Sequence, residues 1–353
     1  KPMLSGPWKQ RLIRYANTGT DNRLLMGDGL KSPTVILGRK ILQNKTMNPT
    51  FSFHNKIKGE VRYDEIMSAY TSMRIGGPAD AFVLPANLKD LQLILKHRNH
   101  TPVHILGEGT NLLVRDRGIR GIVISLKNCF KSVKRPVFYK TPDGRERAVV
   151  QVGSGVKLSY LAKYAARYGL TGIERLVGIP GSVGGAVVMN AGAEGTEIGQ
   201  VLRSVTRVTL DGNVQTLKRE ELAFSYRKTS FPPGNGVIIE AELDLEKGEV
   251  AEVHRTMDDH LSRRSSTQPL NMPNSGSIFK NPSDDKAGRL IESAGLKGYS
   301  IGGASVSIKH ANFIVNKGNA SAENVVQLIE HIQKVVEEKT GTKLEQEIVI
   351  IGE

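Results

Sequence analysis

The chain has 353 residues, 39% hydrophobic and 24% charged, with no low-complexity tract, which is enough folded-type sequence for two or three domains. A single cysteine, Cys129, excludes a disulfide framework or cysteine-based metal cluster and fits a reducing, cytoplasmic setting; no apolar run reaches the roughly 18–20 residues that span a bilayer. The net charge of +14 suggests a nucleic-acid partner until it is located: residues 1–59 hold eleven Lys or Arg against Asp21 and Asp28, leaving only +5 for the other 294 residues. That small excess suits diphosphates and carboxylates and requires no polyanion.

Residues 1–59 lack clear periodicity and are rich in Lys, Arg, Asn and Thr. They read as a basic, partly disordered extension, a surface-lying arm in preference to the transit segment that the composition faintly resembles. From residue 60 the pattern sharpens. A strand is expected over 81–85, a helix over 88–97 with Leu91, Leu93, Ile94 and Leu95 at helical spacing, and a strand over 103–106 that enters a glycine turn. Further strands at 112–114 and 122–126 complete an α/β unit. A second region begins with a strand over 149–152 and a helix over 158–168 closed by Gly169. Strands at 205–210 and 214–217 turn at Asp211-Gly212, and another follows at 237–243. The third region opens with an amphipathic helix near 250–262. It closes with a helix over 322–340, whose Val325, Val326, Leu328, Ile329, Ile332, Val335 and Val336 make one face, and a strand over 346–351.

Five segments carry candidate chemistry. Gly107-Glu108-Gly109-Thr110-Asn111 follows a strand and is suited to present backbone N–H groups to a phosphate, or is simply a tight turn. Its spacing is not the dinucleotide fingerprint and it runs into a strand, which disfavours a Rossmann domain. Gly178-Ile179-Pro180-Gly181-Ser182-Val183-Gly184-Gly185-Ala186, followed by Asn190-Ala191-Gly192, reads as a rigid loop of small residues able to pack on a flat ring or a pyrophosphate. Ser277 lies in Gly276-Ser277-Ile278-Phe279-Lys280-Asn281-Pro282, which is no hydrolase elbow. Arg227 lies among aromatics, beside Tyr226, where partial burial makes an arginine a strong carboxylate clamp. Glu347 stands at the start of the expected terminal strand, with a face that can point into a cleft.

Taken in order, these segments resemble the UDP-N-acetylenolpyruvoylglucosamine reductase (MurB) family. The resemblance runs from Tyr70-Thr71-Ser72-Met73-Arg74-Ile75-Gly76-Gly77-Pro78-Ala79 to Gly352, roughly four fifths of the chain. It includes Gly298-Tyr299-Ser300-Ile301-Gly302-Gly303 and Lys309-His310-Ala311-Asn312-Phe313. It implies an α+β and α/β multidomain fold. A two-part FAD-binding region of the vanillyl-alcohol-oxidase type is expected over 60–126 (joined by the strand in 344–353) and 127–247, and an α+β substrate domain over 248–343. The direct run from Tyr226 to Ile238 leaves little room for the tyrosine-bearing insertion of one subtype, so the chain resembles the shorter, second type.

The resemblance also implies tightly bound FAD, NADPH as hydride donor and a UDP-sugar enolpyruvyl ether as substrate, with neither nucleic acid nor membrane insertion. The glycine segments fall on FAD, and Arg227, Ser277 and Glu347 match the catalytic arginine, proton-donating serine and glutamate. Tyr226, Lys280, Asn281, His310 and Asn312 are expected substrate contacts, although His310 is equally readable as a structural imidazole. Glu108 and Thr110 depart from the Gly and Ser of many relatives, and the leader has no recognised counterpart. Two other readings stand beside this one: a flavin oxidase or dehydrogenase of the same fold, and a non-catalytic basic protein binding nucleotide or nucleic acid.

Overall fold

The structure, a computed structural model, describes residues 51–232 and 236–353. Most of the expected extension therefore lies outside the described residues, but its last nine depart from expectation. Phe53 is fully buried among Ala81, Val83, Leu91, Ile94 and Leu95, and stacks on Phe51 at 5.2 Å. Buried Asp90 then accepts hydrogen bonds from the backbone N–H groups of Lys58, Gly59 and Ala86 at 3.0, 2.7 and 2.9 Å, which fixes where the ordered chain enters the first sheet.

That sheet has the order β1-β2-β5-β3, formed by β1 (Glu60–Ile66), β2 (Pro78–Leu84), β3 (Val103–Leu106) and β5 (Ile119–Ser125). β2 and β3 run parallel to β5, and α1 (Leu88–Lys96) lies between β2 and β3 in the chain, N-capped by Asn87. β1 is an element the sequence reading missed, because charged residues interrupt its alternation. β4 (Leu112–Val114) pairs in parallel with β19 (Val349–Ile351), so the first and last parts of the fold share one ladder.

The second sheet runs β12-β11-β15-β7-β6. Its strands are β6 (Val137–Lys140), β7 (Glu146–Gly153), β11 (Leu202–Thr209), β12 (Val214–Lys218) and β15 (Gly236–Lys247), and the short β8 (Leu170–Thr171) also pairs with β15. The β11–β12 hairpin turns at Asp211-Gly212 as expected, with Gly212 at φ +85°. α2 (Leu158–Ala166) packs Leu158, Leu161 and Ala165 into the sheet's core and ends two residues before the expected Tyr168, leaving Gly169 at φ +65° in the turn. The second glycine segment is only partly a loop. Ser182 caps α3 (Val183–Val188), which contains Gly184 and Gly185, and a Cβ on Gly184 would stand 2.9 Å from that of Ser154, so glycine there permits close packing. Two minor hairpins follow: β9 (Gly192–Ala193) with β10 (Thr196–Glu197), and β13 (Ala223–Ser225) with β14 (Lys228–Ser230).

The third region begins with α4 (Val250–Thr267), five residues longer than its apolar periodicity indicated, because the last turns are polar. α5 (Ala287–Ser293), the antiparallel β16 (Ser300–Ile301), β17 (Ala304–Val306) and β18 (Ile314–Asn316), and α6 (Ala322–Thr340) enclose one core. α6 buries Val325, Leu328, Ile329, Ile332 and Val336, each contributing about 1.5–3 kcal/mol. Ser321 and Asn324 form its capping box, and Gly341 at φ +73° ends it. Asp116 of the first region accepts from the N–H groups of Ala322 and Glu323, which ties α6 to the first sheet. No helix among the described residues is long and apolar enough to cross a membrane.

Candidate functional site

Both glycine segments line one cavity of about 1280 Å³, larger than the roughly 300–1,000 Å³ of an ordinary small-molecule pocket and spacious enough for a dinucleotide with a second ligand. They meet directly: the Thr110 hydroxyl donates to the Pro180 carbonyl at 2.9 Å. A Cβ on Gly107 would come within 2.8 Å of Ser182 Oγ, and Gly109, at φ +63°, would drive one into the Tyr70 carbonyl. The N–H groups of Glu108, Gly109, Thr110 and Asn111, and those of Gly181 and Ser182, donate to no backbone carbonyl among the described residues. Unspent donors on two facing loops are suited to a diphosphate. Glu108 keeps its carboxylate 3.9 Å from Lys157.

Three side chains on the cavity wall escaped the sequence reading. Among the described residues, Ser154 Oγ and Gln268 Oε1 are buried without a hydrogen-bond partner, and so are the ring nitrogens of His260, although Glu194 Oε2 stands 3.6 Å from Nδ1. A polar atom in that condition costs about 1–3 kcal/mol unless a ligand satisfies it. Burial pushes the His260 imidazole below its ordinary pKa despite Glu194 nearby. His260, Arg264 and Gln268 are spaced by four along α4 and its end, the only sequence signal they offer. Together, the open N–H groups and these orphaned atoms fit a large, polar, ring-bearing cofactor such as FAD.

The expected catalytic residues line the same cavity. Tyr226 and Arg227 are the two-residue turn of the β13–β14 hairpin, with Ser225 paired to Lys228. Arg227 takes φ +59°, a left-handed conformation that costs a non-glycine residue about 1–2 kcal/mol. Its hairpin is clamped to α3 by Thr229, which donates to the Val187 carbonyl at 2.5 Å, and by Asn190, which donates to the Ser225 carbonyl at 3.0 Å. The strained turn delivers Arg227 Nε to Glu347 Oε1 at 2.7 Å.

Glu347 lies before β19 and not within it, since that strand begins at Val349 instead of the expected residue 346. The preceding residues are engaged elsewhere. Lys280 N donates to the Glu345 carbonyl, Glu347 N to the Ile278 carbonyl at 2.8 Å, and Asn111 Nδ2 to the Glu347 carbonyl at 3.1 Å. Glu347 is thus pinned between the first glycine loop and the Ser277 loop. Burial, only partly opposed by Arg227 and Lys280, raises its carboxyl pKa above the usual range. Ser277 follows Gly276, at φ +76°, and its hydroxyl has no protein partner among the described residues.

Seven expected contacts fall outside the cavity lining, each for a visible reason. Gly178 backs onto the Arg264 stem, and Asn190 is fully buried, bonded to Glu197, Ser225 and Gly199. Tyr226 is exposed with its ring under the Arg227 guanidinium. Lys280 is paired with Glu345, and Asn281 Oδ1 accepts from Ala287 N at the start of α5. Asn312 bonds both the N–H and the carbonyl of Phe279. His310 packs edge-on against Phe313, accepts from Asn312 N, and is held below its ordinary pKa, first by burial and then by Lys297. These residues shape the loops that carry Ser277 and Arg227. Gly107, Glu108, Gly109, Thr110, Asn111, Ile179, Pro180, Gly181, Ser182, Gly184, Gly185, Ala186 and Gly192 do line the cavity.

Comparison with known proteins agrees with this architecture. Residues 79–218 match the model of an FAD binding domain, and residues 268–351 match that of the UDP-N-acetylenolpyruvoylglucosamine reductase C-terminal domain. UDP-N-acetylenolpyruvoylglucosamine reductase 2 of Bacillus cereus is 42% identical over 298 residues, covering 84% of this chain and 94% of its own. The reductase of Caldanaerobacter subterraneus is 42% identical, with 84% and 95% covered. The crystal structure of the Thermus caldophilus reductase superposes with a TM-score of 0.69 at 35% identity, over 84% of this chain and all of that one. With a matching FAD binding domain, a matching C-terminal region and relatives aligned along nearly their whole length, the chain belongs to the UDP-N-acetylenolpyruvoylglucosamine reductase family.

Proposed function

We propose that this chain reduces UDP-N-acetylglucosamine enolpyruvate to UDP-N-acetylmuramate in peptidoglycan precursor synthesis, with FAD as its bound cofactor and NADPH as reductant. The observation that carries this reading is the meeting of the two glycine segments with Arg227, Glu347 and Ser277 around one cavity. Bound FAD, once reduced, supplies a hydride to the enolpyruvyl double bond. The chain's own residues supply the rest. The Arg227 guanidinium, fixed by Glu347, binds the substrate carboxylate and stabilises the charge that gathers there as the double bond is reduced. The carbon next to that carboxylate then takes a proton from Ser277 Oγ, whose hydroxyl no group among the described residues engages. Since Lys280 and Asn281 are held by Glu345 and Ala287, recharging of the serine falls to water. His260 Nε2 and Gln268 Oε1, without a hydrogen-bond partner among the described residues, give the ligands polar anchors on the wall formed by α4.

Anaerobic spectroscopy tests this. NADPH should bleach the flavin bands, and the enolpyruvyl sugar nucleotide should restore them. In Ser277→Ala, bleaching should persist while restoration slows at least about 100-fold. Unimpaired restoration removes Ser277 from the proton step, and bands that return only with oxygen point to a different substrate.

A further inference from the structure

The outer side of α2 and the turn after it carry Tyr160, Lys163, Tyr164, Arg167 and Tyr168, alternately aromatic and basic. The rings form a continuous row: Tyr160 to Tyr164 is 6.3 Å between centroids, Tyr164 to Tyr168 is 5.3 Å, and Tyr168 to Phe138 of β6 is 6.5 Å. β6 is the edge of its sheet and exposes all four of its residues, with Val137 67%, Phe138 41% and, on α2, Tyr160 51% accessible. Lys163 and Arg167 alternate with the rings, Lys134 and Arg135 lie beside Tyr164, and none of these four forms an ion pair among the described residues. Carboxylates on the same edge are paired with arginines: Asp143, Asp244 and Glu246 lie within 4.0 Å of Arg145 or Arg147.

We propose that this face is a reversible docking surface for an anionic lipid bilayer. Tyrosine and phenylalanine rings settle at the boundary between headgroups and acyl chains, and unpaired Lys and Arg beside them are drawn to anionic headgroups. The two features reinforce each other here, because the cations frame the rings on one side of the molecule. A second copy of the chain is the poorer occupant, since pairing this face with itself sets like charges against one another. A nucleic acid is also poorer: the rings touch one another and leave no slot for a base, and Val137 offers nothing to stack on. The surface is separate from the cavity, as none of these aromatic or basic residues lines it.

The test uses the full-length, FAD-loaded protein and sedimentation with two kinds of vesicle, pure phosphatidylcholine or two parts phosphatidylcholine to one part phosphatidylglycerol. Binding is expected only to the anionic vesicles and should fall as salt rises. Charge reversal by Lys134→Glu, Arg135→Glu and Lys163→Glu together should weaken it at least about tenfold, with the flavin spectrum and turnover in solution unchanged. Phe138→Ser with Tyr160→Ser retains every charge and should also weaken vesicle binding, which guards against misfolding of the first variant. Undiminished binding by both variants places the interaction elsewhere on the chain and overturns the proposal. So does retention on RNA or duplex DNA without retention on anionic vesicles.

Discussion

Replacing Arg227 with glycine sets two opposed effects against each other. The residue sits at φ +59°, so glycine removes about 1 kcal/mol or more of backbone strain. It also leaves Glu347 in a largely buried site without its guanidinium partner. Orphaning a fully buried charge costs about 3–5 kcal/mol. The side chains of this pair remain 21% and 14% exposed, so the cost is discounted to about 2–3 kcal/mol. The expected balance at pH 8 is a net loss of about 1–2 kcal/mol, or a fall in Tm of about 1–3 °C for a chain of this size. The carboxyl pKa is already raised by burial, and losing Arg227 raises it further. A group whose folded pKa exceeds its unfolded value favours the fold below that unfolded pKa and loses the benefit as pH rises through the folded one. The deficit should therefore shrink as the pH is lowered from 8 to 5, in the direction that protonates Glu347. Arg227→Gly with Glu347→Gln should be more stable than the single variant at pH 8 and show little pH dependence. Thermal unfolding of the FAD-loaded proteins at both pH values measures all of this, while reductase turnover should be lost in each variant. Equal destabilisation at pH 5 and pH 8, or a double variant no better than the single, refutes the assignment of the penalty to Glu347.

Other consequences are as direct. In the unaltered enzyme, kcat/KM should decline on the acid side at a pH above the ordinary glutamate range, because protonating Glu347 releases Arg227; in Glu347→Gln that limb should vanish from a lowered plateau, and its persistence assigns it to another group. Gly109→Ala forces a Cβ onto the Tyr70 carbonyl at a positive φ, so the purified protein should carry less FAD at unchanged helix and strand content, and full occupancy refutes the loop's role. Asp90→Ala strands three backbone donors and should cost about 3 kcal/mol or more, with cleavage at Lys56 and Lys58 under limited proteolysis; resistance equal to that of the unaltered protein shows that those bonds do not anchor the segment.

Where a segment's own periodicity decides its structure, the sequence was readable to the residue. α6, β3 and β4 have the boundaries expected of them because their apolar faces are set locally. β6 was invisible, since a strand exposing all four residues has no inside and outside to alternate. Phe53 sits in a polar stretch with no periodic partner, and only α1 and the first sheet make it core. The two glycine segments announced a close approach without saying to what. Arg227, Ser277 and Glu347 stand 50 and 70 residues apart, so only the family resemblance joined them before the cavity was seen. Lys280, Asn281, His310 and Asn312, expected from the same motifs as substrate contacts, lie outside the cavity lining and help to build the loop that carries Ser277. Ser154, His260 and Gln268 were beyond reach, because lacking a partner is a tertiary property.

The parallel ladder between β4 and β19 has a consequence for biosynthesis. Val349 N bonds the Asn111 carbonyl across more than two thirds of the chain's length, and Glu347 lies two residues ahead of it. A growing polypeptide can assemble both sheets of the FAD-binding region, with their glycine loops, before Glu347 has left the ribosome. Until β19 docks, Arg227 waits on its strained turn without a counter-ion. A chain interrupted before Glu347 would therefore retain both glycine loops while lacking the carboxylate that holds its arginine, so flavin content alone is a poor measure of how much finished enzyme a preparation contains.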